Sequence, residues 1–173
     1  MASVMRRFGL VLTGTALAFT AAGSVPALAA TTTQHSPMGS SASQRGNLTR
    51  MSSTALHRGE ELRAGDYIDS GTVSLVMQYN GDLVLYPDGY VGDRHEELWD
   101  SGTWGHNTAV MQDDGNFVIY PSHAVDDPYD ALWSTDTRGG DVLDVQRDGN
   151  VVIYASCCAG DPSAAKWQTD TSA

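Results

Sequence analysis

A nine-residue phrase occurs three times in the chain at a fixed interval of 34 residues. The copies are QYNGDLVLY, QDDGNFVIY and QRDGNVVIY, and they begin at Gln78, Gln112 and Gln146. A period of this length also occurs in helical repeat proteins. Here, however, the segments are rich in Val, Ile, Tyr and Thr, alternate with a period of two, and are punctuated by Gly, Asp and Pro. The repeat therefore predicts an all-β fold with pseudo-threefold symmetry, closed so that sheet edges are not exposed.

Each phrase is predicted to be a β-hairpin, because its centre is Asp-Gly in two copies and Asn-Gly in the first. Side chains alternate between the two faces of a strand, and one face of every copy is apolar. The residues of that face are Leu75, Met77, Leu83 and Leu85, then Ala109, Met111, Phe117 and Ile119, then Leu143, Val145, Val151 and Ile153. We expect this face to form a shared core and the other face to point outward. A core does not require the same polar residues on the outer face, so their repetition predicts a site copied three times.

The first 54 residues differ in composition from the repeats. Residues 1–29 combine a basic start, an apolar run and the sequence Ala-Leu-Ala, which is typical of a signal peptide and predicts a secreted protein. Residues 30–54 are predicted to be a flexible Ser/Thr-rich leader, and residues 55–173 to be the domain. The apolar run is shorter than the roughly 20 residues of a membrane span, so we expect no membrane insertion.

Charge and cysteine content narrow the classes of partner and of fold. The chain has 21 acidic and 10 basic residues and a formal net charge of −11, which argues against nucleic acid or an anionic membrane surface as a partner. Its two cysteines, Cys157 and Cys158, are neighbours. A bond between them joins no distant segments, so the fold must be stabilised by its core.

The repeated phrase resembles the QxDxNxVxY signature of the bulb-type mannose-binding lectins, the family of the snowdrop lectin. The second and third copies carry every signature residue, namely Gln112, Asp114, Asn116, Val118, Tyr120, Gln146, Asp148, Asn150, Val152 and Tyr154. The segments LHRGEELRAGDYI, LWDSGT and LWSTDT are also similar to that family, and the resemblance covers about residues 55–171. It implies a β-prism II fold of three four-stranded sheets, up to three mannose sites and no cofactor. It also implies a homodimer formed by exchange of C-terminal strands.

The resemblance further implies what each side chain of the second copy does. Asp114 and Asn116 would grip the axial 2-hydroxyl of mannose. Gln112 would bind the 3-hydroxyl and Tyr120 the 4-hydroxyl, while Val118 would touch the apolar patch of the sugar. The third copy would use its residues in the same way. The alternative is that Asp-Gly-Asn only builds the turn and that Tyr only fills the strand.

The first copy departs from the signature. Its residues are Gln78, Asn80, Asp82, Val84 and Tyr86, so that Asn and Asp have exchanged places. The strand position thereby loses an amide donor and gains a negative charge. We expect the hairpin to form and the site to be weak or degenerate. The loops from Tyr to Trp, twelve residues each, are long for the family and either wall or block the sites.

Residues outside the repeated phrase carry no recognisable pattern for catalysis or metal binding. Periodic Trp99, Trp133 and Trp167 are predicted to meet in the core rather than to stack on sugar, whereas Trp104 breaks the period and is the better candidate for an exposed contact. The acidic pairs and the five His match no metal-ligand spacing, so no metal is expected. No catalytic triad or paired-carboxylate site recurs, so the protein is not expected to be an enzyme.

Two hypotheses of function follow. The first is a secreted, calcium-independent lectin for mannose or mannose-containing glycans. The second is a lectin-like bacteriocin or protein-interaction module on the same prism, with weak or lost sugar binding. The intact second and third signatures favour the first.

Overall fold

The computed structural model describes residues 48–172, so the predicted signal peptide and most of the predicted leader lie outside the described residues. The strands of this part are β1 (Thr49–Arg50), β2 (Ala55–His57), β3 (Glu61–Arg63), β4 (Asp66–Asp69), β5 (Val73–Met77), β6 (Leu83–Pro87), β7 (Trp99–Asp100), β8 (Asn107–Met111), β9 (Phe117–Pro121), β10 (Trp133–Ser134), β11 (Val142–Val145), β12 (Val151–Tyr154) and β13 (Ala165–Gln168). Two short 3-10 helices, Ser156–Cys158 and Pro162–Ala164, lie between β12 and β13. Within residues 48–172 no helix has the length and hydropathy needed to cross a bilayer.

The strands form three sheets, one for each repeat. Their strand orders are β1-β4-β5-β6-β7, β10-β9-β8-β3 and β13-β12-β11-β2. In each sheet the two long central strands are the two arms of the repeated phrase, paired antiparallel. The short strands β4, β3 and β2 each join a different sheet, so the opening segment of the domain connects all three.

The apolar face predicted from the phrase is the core. All twelve of its residues belong to one buried cluster. Leu56, Leu62 and Ile68, one from each opening strand, add a matching residue from every sheet and are 0 % exposed. Burial of a side chain of this size contributes about 1.5–3 kcal/mol, so this face supplies most of the stabilisation of the three sheets.

The three periodic tryptophans pack against this core, as predicted. Trp99, Trp133 and Trp167 form a ring of edge-to-face contacts, with centroid distances of 5.4, 5.8 and 5.7 Å. Such pairs contribute about 0.5–1.5 kcal/mol beyond burial. The tryptophans therefore link the three repeats and are not sugar-stacking platforms.

The first sheet has a fifth strand, so it differs from the four-stranded sheet that the resemblance implies. Strand β1 lies within the segment predicted to be a flexible leader, ahead of the predicted boundary at residue 55, and it pairs parallel with β4. Backbone N–H groups of Thr49 and Met51 donate to the carbonyls of Gly65 and Tyr67, both at 2.8 Å. The ladder bonds use backbone atoms, and the flanking Leu48 and Met51 pack against apolar clusters, so a short segment without alternation can join an edge and escape a pattern-based prediction.

Each phrase forms the predicted hairpin, with a turn of three residues between the signature Gln and the residue after the glycine. In the second repeat Gly115 N–H donates to the Gln112 carbonyl at 3.0 Å, and Gly115 has φ +88°. A Cβ at Gly115 would lie 2.3 Å from the backbone nitrogen of Gly140. Glycine is therefore required twice here, for a left-handed conformation and for close approach of the neighbouring chain.

Candidate functional site

The turn of each phrase brings the signature Gln, at the end of the first strand, beside the Asn or Asp that opens the second strand. In the second repeat Gln112 N–H donates to the carbonyl of Asn116 at 2.9 Å, and Asn116 N–H donates to Asp114 Oδ1, also at 2.9 Å. The corresponding side-chain bonds are 3.0 Å at Asp148 and 3.1 Å at Asn80. One oxygen of the Asp or Asn side chain is thus part of the turn itself, which agrees with the alternative that these residues build the turn. Only the remaining polar atom of that side chain is free to bind a ligand.

A pair of hydroxyl-bearing residues from the following strand end holds the side chain of the residue after the glycine. Asn116 Oδ1 accepts from the hydroxyl of Thr135 at 3.0 Å and from Thr137 N–H at 3.2 Å. Asn150 Oδ1 accepts in the same way from Thr169 and Thr171, at 2.8 and 3.4 Å. With Oδ1 held, the orientation of the amide is set before any ligand arrives.

This supporting pair was missed by the sequence analysis. It recurs with the period of the phrase, as Ser101 and Thr103, Thr135 and Thr137, and Thr169 and Thr171. The second member of each pair also donates its hydroxyl to the turn carbonyl before the signature residue, at 2.6–2.7 Å. The period alone could have identified these positions, but polar residues near a turn have too many ordinary roles for their type to indicate this one.

The altered first repeat has the same support. Asp82 Oδ1 accepts from the Ser101 hydroxyl at 2.9 Å and from Thr103 N–H at 3.3 Å. A carboxylate oxygen replaces the amide oxygen without loss of these bonds, so the exchange of Asn and Asp leaves the local fold intact, as expected. Burial raises the pKa of Asp82, the Ser101 hydrogen bond opposes that rise, and the charge of Asp100 adds to it.

Gln and Tyr of each signature bind each other. The Gln side-chain amide donates to the Tyr hydroxyl at 2.5 Å in the first repeat, 2.8 Å in the second and 3.0 Å in the third. This contact joins the two arms of the hairpin on the outer face. It brings the outer-face ends of Gln112 and Tyr120 together, as the predicted site requires, and does the same for Gln146 and Tyr154.

The outer face is less open than the sequence analysis expected. The signature Val and Tyr residues were expected to point outward. Val118 is 2 % and Tyr120 3 % exposed, and Val152 and Tyr154 have the same two values. They belong to small apolar clusters separate from the core. The prediction that this face avoids the core is correct, but the expectation of an open face is wrong, because loop residues and, in the third sheet, the opening strand β2 cover it.

The polar end of the signature is more exposed in the second repeat than in the third, where Asn150 is 6 % exposed and its Nδ2 donates to Gln168 Oε1 at 3.3 Å. In the second repeat Gln112 and Asn116 are partly exposed and Asp114 is exposed. A groove of about 350 Å³ is lined by Gln112, Asp114 and Asp126, among others. In the third repeat a groove of about 320 Å³ lies beside Asp144 and Ala159. Both are large enough for a monosaccharide, which fits the scale of small-ligand sites.

The electrostatic surroundings differ between repeats. Burial raises the pKa of Tyr120, and its hydrogen bond with Gln112 partly opposes the rise. The pKa of Tyr86 is also raised, first by burial and then by the charge of Glu97. In the first repeat the Tyr86 hydroxyl donates to Glu97 Oε1 at 3.2 Å. That hydroxyl is therefore already bound within the chain.

Three features outside the signatures were candidates for chemistry: Trp104, the cysteine pair and the acidic residues. Trp104 is 65 % exposed, as expected, and the guanidinium of Arg94 lies 6.0 Å from the centre of its ring. Cys157 and Cys158 are bonded to each other in the loop of the third repeat. Among residues 48–172 no group of three or more His, Cys, Asp or Glu is placed to hold a metal ion.

The fold and site are similar to solved lectin structures. The chain is 35 % identical to a monomeric monocot mannose-binding lectin from Gastrodia elata, over 70 % of this chain and 100 % of that one, with a TM-score of 0.53. It is 28 % identical to the Japanese Marasmius oreades lectin, over 72 % and 96 % of the two chains, with a TM-score of 0.55. A lectin from Allium sativum is 34 % identical over 60 % and 95 %, with a TM-score of 0.50.

Scans against models of protein families and against curated proteins find no match. The three sheets together with the solved neighbours identify the fold as a β-prism II.

Proposed function

The chain belongs to the family of monocot mannose-binding lectins, and on that premise we propose that its second and third repeats bind mannose or mannose-containing glycans. The protein acts by binding, without catalysis and without calcium, and is secreted. The observation that carries this proposal is the same fixed group of Gln, Asn and Tyr in both repeats. A single turn with these residues is ordinary, whereas two copies supported by the same hydroxyl pairs point to a shared ligand.

The chemistry of the group suits a sugar. Each sugar hydroxyl is both donor and acceptor, so it is recognised best by fixed donors and acceptors side by side. Asn116 offers its amide nitrogen while its oxygen is held by Thr135 and Thr137. Gln112 and Tyr120 supply the neighbouring donor and acceptor atoms. Because these groups are oriented before binding, little conformational entropy is lost when the sugar arrives.

Affinity for one sugar should be weak. The grooves are shallow and most of the Val and Tyr surface is covered, so a Kd near 1 mM, about −4 kcal/mol, is the expected scale. Two sites on one chain strengthen attachment to a branched glycan through effective concentration. A homodimer would add to this effect. Strand β13 completes the third sheet of its own chain, so dimerisation by C-terminal strand exchange requires β13 to leave β12. Light scattering of the purified protein tests that arrangement.

The deciding experiment alters the Asn donor without disturbing its support. Asn116→Asp with Asn150→Asp keeps an oxygen for the threonine pairs, as Asp82 shows in the first repeat, and removes both amide donors. We expect the doubly substituted protein to fold and to lose at least tenfold in affinity for methyl mannoside and mannan. A buried polar group that is left without a hydrogen-bond partner costs about 1–3 kcal/mol. The matched control is Asp82→Asn, which should leave binding unchanged.

Sugar and metal dependence complete the test. Mannose and glucose differ at carbon 2, where Asn116 and Asn150 are proposed to act, so glucose should bind more weakly. Binding should survive a chelator. Undiminished binding by the double variant, equal binding of glucose, or loss of binding in chelator would each contradict the assigned roles.

A further inference from the structure

The twelve-residue loop between the phrase and the Trp has one backbone fold in all three repeats. Its first turn is closed by bonds from Tyr90, Ala124 and Cys158 to the carbonyl three residues earlier, at 3.2, 2.9 and 3.0 Å. A second turn is closed by aspartates at the seventh loop position, whose Oδ1 atoms accept from backbone N–H groups at 2.9–3.0 Å. The three loops therefore place their side chains alike. Differences between the repeats come from which side chains these are.

The fifth residue of the loop lies at the outer face of the hairpin, and it differs in each repeat. In the first repeat Val91 is 2 % exposed and packs in one cluster with Val76, Val84 and Tyr86. In the second repeat Val125 is only partly buried against the matching cluster.

In the third repeat the fifth loop residue is Ala159, which is exposed. The cluster there is completed by Ala55 and Ala165, and Ala159 lines the open groove instead. The fifth loop residue therefore completes the cover in the first repeat, contributes less in the second, and in the third is replaced by Ala55 and Ala165.

The eleventh residue of the loop strengthens this difference. In the first repeat it is Glu97, which accepts the hydrogen bond of the Tyr86 hydroxyl. The matching residues Ala131 and Ala165 have no group that accepts such a bond. In all three repeats the signature Tyr hydroxyl accepts from Gln, but among the described residues it donates to a side chain only in the first repeat.

A buried hydroxyl shows how tightly the first repeat is covered. Ser74, directly opposite Tyr86 across the ladder, is 0 % exposed, and its Oγ has no hydrogen-bond partner. In the second repeat Thr108 occupies the matching position and bonds Ser122 at 2.8 Å. Leu48 and Tyr67 also pack on the first cluster. The cover over the first repeat excludes even the solvent that would satisfy Ser74.

We propose that the fifth and eleventh loop residues decide which repeats can bind sugar, independently of the exchange of Asn80 and Asp82. The first repeat is closed by Val91 and Glu97, whereas the second and third repeats lack both a fully buried fifth residue and the acidic acceptor. This inference rests on the proposed mannose binding and adds to it. It has a consequence that the signature alone does not have: restoring the Asp-Gly-Asn sequence in the first repeat leaves that repeat unable to bind.

A site-resolved titration tests the proposal. The backbone amides of Gly81, Gly115 and Gly149 lie at equivalent turns, and their NMR signals report each repeat separately as methyl α-mannoside is added to the ¹⁵N-labelled protein. In the wild type we expect saturable shifts at Gly115 and Gly149 and none at Gly81. Asn80→Asp with Asp82→Asn should give the same pattern. Adding Val91→Ala and Glu97→Ala to that pair should make Gly81 respond with an affinity within about threefold of that at Gly149.

The converse variant moves the cover to the third repeat. Ala159→Val with Ala165→Glu should weaken binding at Gly149 at least tenfold while Gly115 is unchanged, which also shows that the protein is folded. Binding at Gly81 after the Asn80 and Asp82 exchange alone would overturn the loop proposal. Failure of the four-residue variant to bind at Gly81, with Gly115 and Gly149 still binding, would overturn it too. A wild type without shifts at any of the three glycines would instead overturn mannose binding itself, and the loop proposal with it.

Discussion

The first and third repeats share one inner face and differ on the outer one. Inside, Leu83 and Leu85 of the first repeat correspond to Val151 and Ile153 of the third, and all four are at most 1 % exposed. Outside, the first repeat carries a buried loop valine and the third an exposed alanine. Threefold symmetry is therefore a requirement of the shared core, where the three sheets meet. The apolar residues of the outer faces form three separate clusters, so a change in one need not disturb the packing of the others.

The largest effect is expected where the repeats are alike. Leu85→Ala and Ile153→Ala remove buried side chains from matching strands of the same core, so each should lower the free energy of unfolding by about 2–5 kcal/mol. Urea unfolding of both variants measures this. If one substitution lowers the free energy of unfolding by several kcal/mol and the other hardly changes it, the inner faces of the first and third repeats are not equivalent.

A smaller effect is expected where the repeats differ. Val91→Ala should lower the free energy of unfolding by roughly 1–3 kcal/mol, because a fully buried valine leaves a cavity over Tyr86. Val125→Ala is the matched control and should cost less, since that residue is only partly buried. The denaturant midpoints of the two variants measure how much stability each loses. Equal costs would mean that the covers of the first and second repeats are equally tight.

The smallest effect concerns Asp82. Burial raises its pKa in the folded protein, so the unfolded chain ionises first as pH rises, and stability decreases from the ordinary Asp range up to the raised pKa. Asp82→Asn should remove that decrease and raise stability at pH 7 by less than about 1 kcal/mol, since solvent screens a partly exposed group. Asn116→Asp, the mirror change, should introduce the same pH dependence. Thermal melts between pH 3 and pH 8 check both, and a flat profile for wild type would contradict the raised pKa.

The alternation of the phrase was sufficient to predict the fold. A period of two with an unbroken apolar face specifies strands and the side they bury, and three copies at one interval specify three sheets. The prediction missed β1, because its ladder bonds use backbone atoms and two residues are too few to show an alternating pattern. It also missed Thr135 and Thr137 and their counterparts. Their role depends on which strand end lies beside Asn116, and no local pattern contains that information.

By itself the sequence determined which residues form the hairpins, where the core lies, and that Asn80 and Asp82 depart from the signature. Only the tertiary structure decided how accessible each signature is. Val91 and Glu97 are unremarkable loop residues until the chain folds back and places one on Val84 and Tyr86 and the other on the Tyr86 hydroxyl. The physical reason is that strand pattern follows from neighbours along the chain, whereas cover over an outer face depends on contacts between residues that local periodicity does not relate.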